Sequence, residues 1–159
     1  MRQEVELHCV FRCGTFWFAL PASSLREVAP RPMITAAPLT DPALLGLCHL
    51  RNDFLPVLSL PHLLGTEPGG DVTGEQILVL GTRGAPWAVV VDAVAALEPL
   101  EISINTDCRS DDGWLSAMLG SATTQGQIVR VLDPTALYEL AVQVLTPEAS
   151  GAGATILNA

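Results

Sequence analysis

Gly46-Leu47-Cys48-His49-Leu50-Arg51-Asn52-Asp53-Phe54-Leu55-Pro56-Val57-Leu58-Ser59-Leu60 reads as a tight β-hairpin with a charged residue at its corner, set in otherwise apolar strands. Leu47, His49 and Arg51 alternate with Cys48 and Leu50, the period of two that a half-buried strand requires. Asn52-Asp53 then offers two residues tolerant of positive φ, as a two-residue hairpin loop demands. Phe54, Val57, Leu58 and Leu60 return along a second strand. Arg51, beside the turn, is a poor core residue and is well placed to make a contact. The stretch has the character of a docking surface and carries no catalytic pattern.

The same organisation recurs around it. Glu4 to Cys13 alternates as a strand with one buried face, Gly14-Thr15 is a turn, and Thr15 to Leu20 is a second strand closed by Pro21. Ala22 to Val28 is too short for an autonomous helix, and reads as one helical turn leading into an edge strand. Pro61 to Gly65 reads as a single helical turn with a glycine stop. Glu75 to Leu80 and Pro86 to Val91 form another hairpin around Thr82-Arg83-Gly84-Ala85. Its near-continuous apolar runs suit strands buried on two sides. Asp92 interrupts, and Ala93 to Leu97 resumes as strand. Glu98 to Ser110 is a connector anchored by Ile102 and Ile104. Trp114 to Thr124 and Gln127 to Leu132 make a third hairpin around Gln125-Gly126. Asp133-Pro134 is an N-cap followed by proline at the first helical position, and Leu137, Leu140, Ala141 and Val144 give helical spacing that ends before Pro147.

An internal echo supports this layout. Aligned from Gly46 and from Gly120, the chain runs GLCHLRNDFLPVLSLPHLL and GSATTQGQIVRVLDPTALY. Val57 and Leu58 meet Val131 and Leu132, Leu63 meets Leu137, and the two hairpin turns coincide. The shared order of glycine, strand, turn, strand and helix suggests two similar sub-barrels.

Composition narrows the functional classes. The chain has 159 residues, 49% hydrophobic and 16% charged, enough for a substantial core in a single domain. Its net charge of -9 repels phosphate backbones and disfavours nucleic acid as a partner. No apolar run is long enough to span a bilayer, and the first residues lack a signal-like apolar region, so a cytoplasmic protein without direct membrane insertion is expected. Residues 1–147 are expected to form the domain and residues 148–159 a tail of small, mostly polar residues. Cys9, Cys13, Cys48 and Cys108 show no CxxC spacing, so reduced thiols packed as small hydrophobes are expected rather than a zinc site, and no cofactor or metal is implied. His8, His49 and His62 are dispersed, no nucleophile elbow or phosphate-cradling loop exists, and no enzyme signal emerges.

Taken in order, Phe18-Ala19-Leu20-Pro21, Leu25-Arg26-Glu27-Val28, Gly46 to Leu60, Val89-Val90-Val91-Asp92-Ala93-Val94 and Ile128-Val129-Arg130-Val131-Leu132-Asp133 resemble the CheW-like domain. This family couples chemoreceptors to a histidine kinase, and the resemblance runs from about Val5 to Leu145. It implies an all-β fold of two SH3-like five-stranded barrels packed together, with a short C-terminal helix. It implies a non-catalytic chemotaxis adaptor whose partners are the regulatory domain of a CheA-type histidine kinase and the cytoplasmic tip of a methyl-accepting chemoreceptor.

Position by position, Leu25 and Glu27 match the family's Val-x-Glu-like element. Gly46 and Arg51 match its Gly-x-x-Asn-Leu-Arg-Gly hairpin, with Asn52 standing in for the last glycine. Asp92 matches the aspartate of its Val-Asp-x-Val element, and Val89 and Val94 flank it as core or groove lining. The implied partner-binding residues are thus Leu25, Glu27, Gly46, Arg51, Asn52, Val89, Asp92 and Val94. Arg51 has a second reading, a surface pair with Asp53 or Glu27, and Asp92 suits a structural role accepting backbone N–H groups at a turn. Two rivals to the adaptor are kept: a small-molecule-binding β-barrel with a pocket lined by Trp17, Phe18 and Trp87, or an accessory scaffold of another two-component pathway. A third is an enzyme using Cys48 or Asp92.

Overall fold

The computed structural model describes residues 6–36, 41–65, 73–81, 85–104 and 117–146. In chain order these form β1 (Leu7–Cys13), β2 (Phe16–Pro21), a 3-10 turn (Ala22–Ser24), β3 (Leu25–Pro30), β4 (Leu44–Leu50), β5 (Asp53–Leu58) and α1 (Leu60–Leu64). They continue with β6 (Gln76–Leu80), β7 (Trp87–Val91), β8 (Ala93–Pro99), β9 (Ser103–Ile104), β10 (Met118–Thr124), β11 (Gln127–Leu132) and α2 (Pro134–Leu145). The expected tail, the Thr82–Gly84 turn, Cys108 and Trp114 lie outside the described residues.

Two sheets result, one ordered β8-β1-β2-β11-β10-β9 and the other β3-β6-β7-β5-β4. The expected pair of five-stranded barrels is thus one sheet of five strands and one of six, because β9 adds a short edge to β10. Each sheet contains a hairpin, β1–β2 or β6–β7, whose following strand crosses to the other sheet. β3 leaves β2 to pair with β6, and β8 leaves β7 to pair with β1. The two halves therefore exchange strands, and neither is a contiguous piece of chain.

Side-chain alternation explains the packing. In β6 and β7, Leu78, Leu80, Trp87, Val89 and Val91 face a central cluster shared with Phe11, Phe18 and Leu20 of the other sheet, while Ile77, Val79, Ala88 and Val90 face the interior of their own barrel with Cys48, Leu55 and Val57. These strands are buried on both faces, which is why they read as unbroken apolar runs. The second barrel has its own interior of Val10, Ala19, Ala122, Val129 and Val131. Helices α1 and α2 put Leu60, Leu63, Leu64, Leu137 and Ala141 into the central cluster.

The ends of each sheet are tied by a side chain. Glu27 on edge strand β3 holds Arg51 at the β4–β5 turn, and Thr124 at the end of β10 donates to Glu98 on edge strand β8 at 2.8 Å. Those contacts join strands at opposite sides of a sheet, as curling into a barrel requires.

The internal echo is structural. Arg51 and Asn52 have φ of 51° and 69°, and their counterparts Gln125 and Gly126 have 53° and 78°. Ser59 N–H donates to Ala43 at 2.8 Å, and Asp133 N–H donates to Ala117 at 2.7 Å, at matching points before α1 and α2. Both helices start on a capping side chain, Ser59 accepting from the His62 N–H and Asp133 from the Thr135 N–H. α1 stops where Gly65 turns left-handed, as its glycine predicts.

Candidate interaction surface at the Arg51 hairpin

The β4–β5 register pairs Leu50 with Asp53, so the two-residue loop is Arg51-Asn52, not Asn52-Asp53 as the sequence suggested. Positive φ at both loop residues is the I′ geometry that suits the right-handed twist of a hairpin. Asn52 tolerates that conformation well; arginine does so at a cost. Arg51 is the more notable for being there. The turn aims its guanidinium back across the barrel mouth, where Nε lies 3.0 and 2.9 Å from the two carboxylate oxygens of Glu27.

Between the two readings of Arg51, its intramolecular partner is therefore Glu27 and not Asp53. The hydrogen bonds to Glu27, with its nearby charge, push the guanidinium above its ordinary value. The side chain of Arg51 is 72% exposed against 26% for Glu27, so the pair leaves most of the guanidinium facing solvent. An exposed pair of this kind contributes little to stability. Around it lies a concavity of about 240 Å³ lined by Arg26, Glu27, Leu50, Arg51, Asp53, Leu55, Val79 and Pro86.

The outer face of the same hairpin is apolar. Phe54 is 74% exposed, with the His49 ring stacked on it at 4.8 Å, and Leu47 stands exposed farther along β4. Cys48, Leu55 and Val57 point the other way into the barrel. The alternation seen in the sequence thus sorts the strand into a buried face and a free apolar one.

The remaining sequence-predicted residues divide. Gly46 is buried where the Thr35 backbone crosses β4, so it shapes the hairpin and offers no surface. Leu25 and Val94 are half-buried against the central cluster at matching places on the two exchanged strands. Val89 has no exposed surface; it lies in a strand packed on both faces and is core alone. Asp92 accepts the Gly14 N–H at 2.5 Å and lies 3.8 Å from Arg12, while its own N–H donates to the Arg12 carbonyl. It braces the β1–β2 turn, away from the Glu27–Arg51 pair.

Trp17, Phe18 and Trp87 do not line one pocket. Phe18 and Trp87 belong to the central cluster, whereas Trp17, adjacent in the strand, points to the opposite face and packs in the second barrel. Burial raises the Cys48 thiol above its ordinary value, opposite to the activation that a nucleophile needs. Among the described residues no three His, Cys, Asp or Glu side chains converge as metal ligands. No helix among them is long and apolar enough to cross a membrane. The sequence reading of this stretch as a docking surface named Arg51 and not the Phe54–His49–Leu47 face, although outward Leu47 and His49 alternating with Cys48 already signalled it.

Comparison with known proteins agrees with this architecture. The model of the CheW-like domain family matches residues 8–142. A probable chemotaxis protein CheW of Rhizobium etli is 32% identical over 85 residues, which cover 54% of this chain and 55% of that protein. The chain thus matches about half the length of that relative. The crystal structure of the scaffolding protein TtCheW from Thermoanaerobacter tengcongensis superposes with a TM-score of 0.69 at 22% identity, covering 81% of this chain and 89% of that one, a likeness of fold.

Proposed function

The chain belongs to the CheW-like domain family, and on that premise we propose that it is a non-catalytic, cytoplasmic adaptor that couples chemoreceptors to a CheA-type histidine kinase. The observation that carries the proposal is the exposed guanidinium of Arg51, fixed by an I′ turn and by Glu27 beside an apolar hairpin face. An oriented but solvent-facing arginine presents further donors to a partner carboxylate or carbonyl at small entropic cost, because Glu27 has already ordered it. Phe54 and Leu47 supply apolar area next to it, the pattern of an aromatic anchor with a neighbouring arginine. Glu27, Arg51 and Asn52 form this surface in our proposal. Leu25 and Val94, half-buried on the exchanged strands, would meet the receptor tip. Gly46 and Asp92 act by shaping turns. The adaptor contributes position: holding receptor and kinase in fixed relation lets a change in one alter the other, with modest contacts strengthened by multivalency.

The test is a pull-down with the regulatory domain of a CheA-type kinase and, separately, a receptor cytoplasmic tip. Arg51→Glu keeps its fold, because the side chain is exposed, and loses binding to at least one partner. The double exchange Glu27→Arg with Arg51→Glu restores the internal pair but not the binding. Normal binding of both partners by Arg51→Glu would refute the assignment.

A further inference from the structure

The strand pairing of the two hairpins and of the strands that cross between the sheets matches residue by residue in the two halves, and one corner differs between them. Strand pairing fixes the correspondence. Phe11 pairs with Phe18 and Val94, as Leu80 pairs with Trp87 and Leu25. Val131 pairs with Ala19, as Val57 pairs with Ala88. It follows that Arg12 corresponds to Gly81, Asp92 to Ser23, Leu60 to Pro134 and Leu64 to Tyr138.

In one half this corner is closed. Phe11, Leu60 and Leu64 are fully buried. Arg12 donates to the Gly14 carbonyl at 2.7 Å beside the Asp92 carboxylate. In the other half leucine stands for Phe11, glycine for Arg12, serine for Asp92 and proline for Leu60, each smaller, while Tyr138 turns outward where Leu64 is buried; a cavity of about 430 Å³ opens among Leu20, Ser23, Leu80, Gly81, Trp87 and Tyr138, with Leu137 and Thr135 from α2 completing it. The floor is apolar, since Leu20, Leu80, Trp87 and Leu137 are buried, and Tyr138 forms an exposed wall.

The arginine of the closed half has no counterpart here, but a carboxylate remains. Glu6 accepts from the hydroxyl of Ser23, the residue that corresponds to Asp92, at 3.3 Å, and Asp133 caps α2 before Pro134. The start of α2 has little to offer an anion. Pro134 has no N–H, the Thr135 N–H is taken by Asp133 at 3.0 Å, and the Leu137 N–H by the Asp133 carbonyl at 2.9 Å. Among the described residues no basic side chain lines the cavity.

We propose that this open corner is a second docking site, which receives an arginine or lysine side chain from a partner protein. The aliphatic stem lies on Leu80, Trp87 and Tyr138, and the charged head meets Glu6 and Ser23, so the partner supplies what Arg12 supplies in the closed half. Long basic side chains are built for such a place, with an apolar stem and a hydrated tip. Tyr138 adds a ring face for the cation. The site shares no residue with the Arg51 concavity and does not depend on the adaptor role.

The test is an amide and indole NMR titration of the whole chain with N-acetyl-arginine methylamide, alongside the neutral citrulline analogue and inorganic phosphate. The arginine probe is expected to shift the Ser23, Gly81 and Tyr138 amides and the Trp87 indole, with citrulline binding about three- to fivefold more weakly, as loss of an exposed charge pair implies. Glu6→Gln, on an exposed position, abolishes that preference, and Ser23→Arg, which places the chain's own guanidinium at the rim, blocks the probe. Equal binding of arginine and citrulline, an unchanged preference in Glu6→Gln, no shifts at these residues, or stronger shifts with phosphate would each overturn the proposal.

Discussion

Replacing Gly46 by alanine tests how the β4–β5 hairpin is positioned. Gly46 has φ +148°, in the region that L side chains rarely adopt, and a Cβ there would meet the carbonyl oxygen of Thr35. Thr35 is pinned at that point: its N–H donates to Leu47 at 2.8 Å and its carbonyl accepts from Leu47 at 2.9 Å. Two effects therefore add. The backbone penalty is about 1–2 kcal/mol. Displacing Thr35 weakens two backbone hydrogen bonds worth roughly 1 kcal/mol each. The sum is about 3–4 kcal/mol, or a fall in Tm of about 10 °C for a chain of this size.

Two other glycines separate the contributions. Gly14 has φ +61° with nothing near its Cβ position, so Gly14→Ala carries the backbone penalty alone, about 1 kcal/mol. Gly120, the counterpart of Gly46, has no positive φ but would meet the Ser103 carbonyl, so Gly120→Ala carries the contact alone, about 2 kcal/mol. Urea denaturation of the three variants, with unchanged m-values, gives the ranking. A Gly46→Ala variant no less stable than Gly14→Ala would refute the reasoning.

Two further outcomes follow from the core and the turns. Burial, reinforced by the nearby Asp92 charge, pushes the Cys13 thiol from 9.0 to about 12. The unfolded chain releases this proton first, so the contribution is fully present below pH 9, and stability declines as pH rises from about 9 to 12; denaturation across that range, compared with Cys13→Ser, isolates the term, and a flat difference would contradict it. Asp92→Ala leaves the Gly14 N–H without its acceptor and is expected to cost about 1–2 kcal/mol in the same denaturation assay, with Asp92→Asn recovering much of it; a loss of under about 0.5 kcal/mol for alanine would remove the bracing role.

What the sequence made legible was local. Alternation placed the hairpins, Asp133-Pro134 marked the start of α2, and the repeat beginning at Gly46 and Gly120 found two structurally matching segments. What stayed hidden was non-local. Nothing near Leu25 or Ala93 says that β3 and β8 cross to the opposite sheet, because pairing partners are chosen by burial across the whole chain. Val89 carries two readings in the sequence, core or groove lining, because three valines before an aspartate suit either, and only the sheet above it decides. The turn was read one residue late because Asn-Asp is the better turn pair by intrinsic preference, and Glu27, far away in sequence, helps hold Arg51 in it. The open corner beside Tyr138 could not be seen at all, since it appears only when the two halves are superposed.

As proposed, this protein holds a receptor and a kinase together. Sedimentation of receptor-bearing vesicles with a CheA-type kinase, with and without the chain, measures that most directly. The kinase is expected to pellet with the vesicles only when the chain is present, and Arg51→Glu to abolish the effect. Kinase that pellets equally without it, or receptor and kinase that displace one another from it, would contradict the claim.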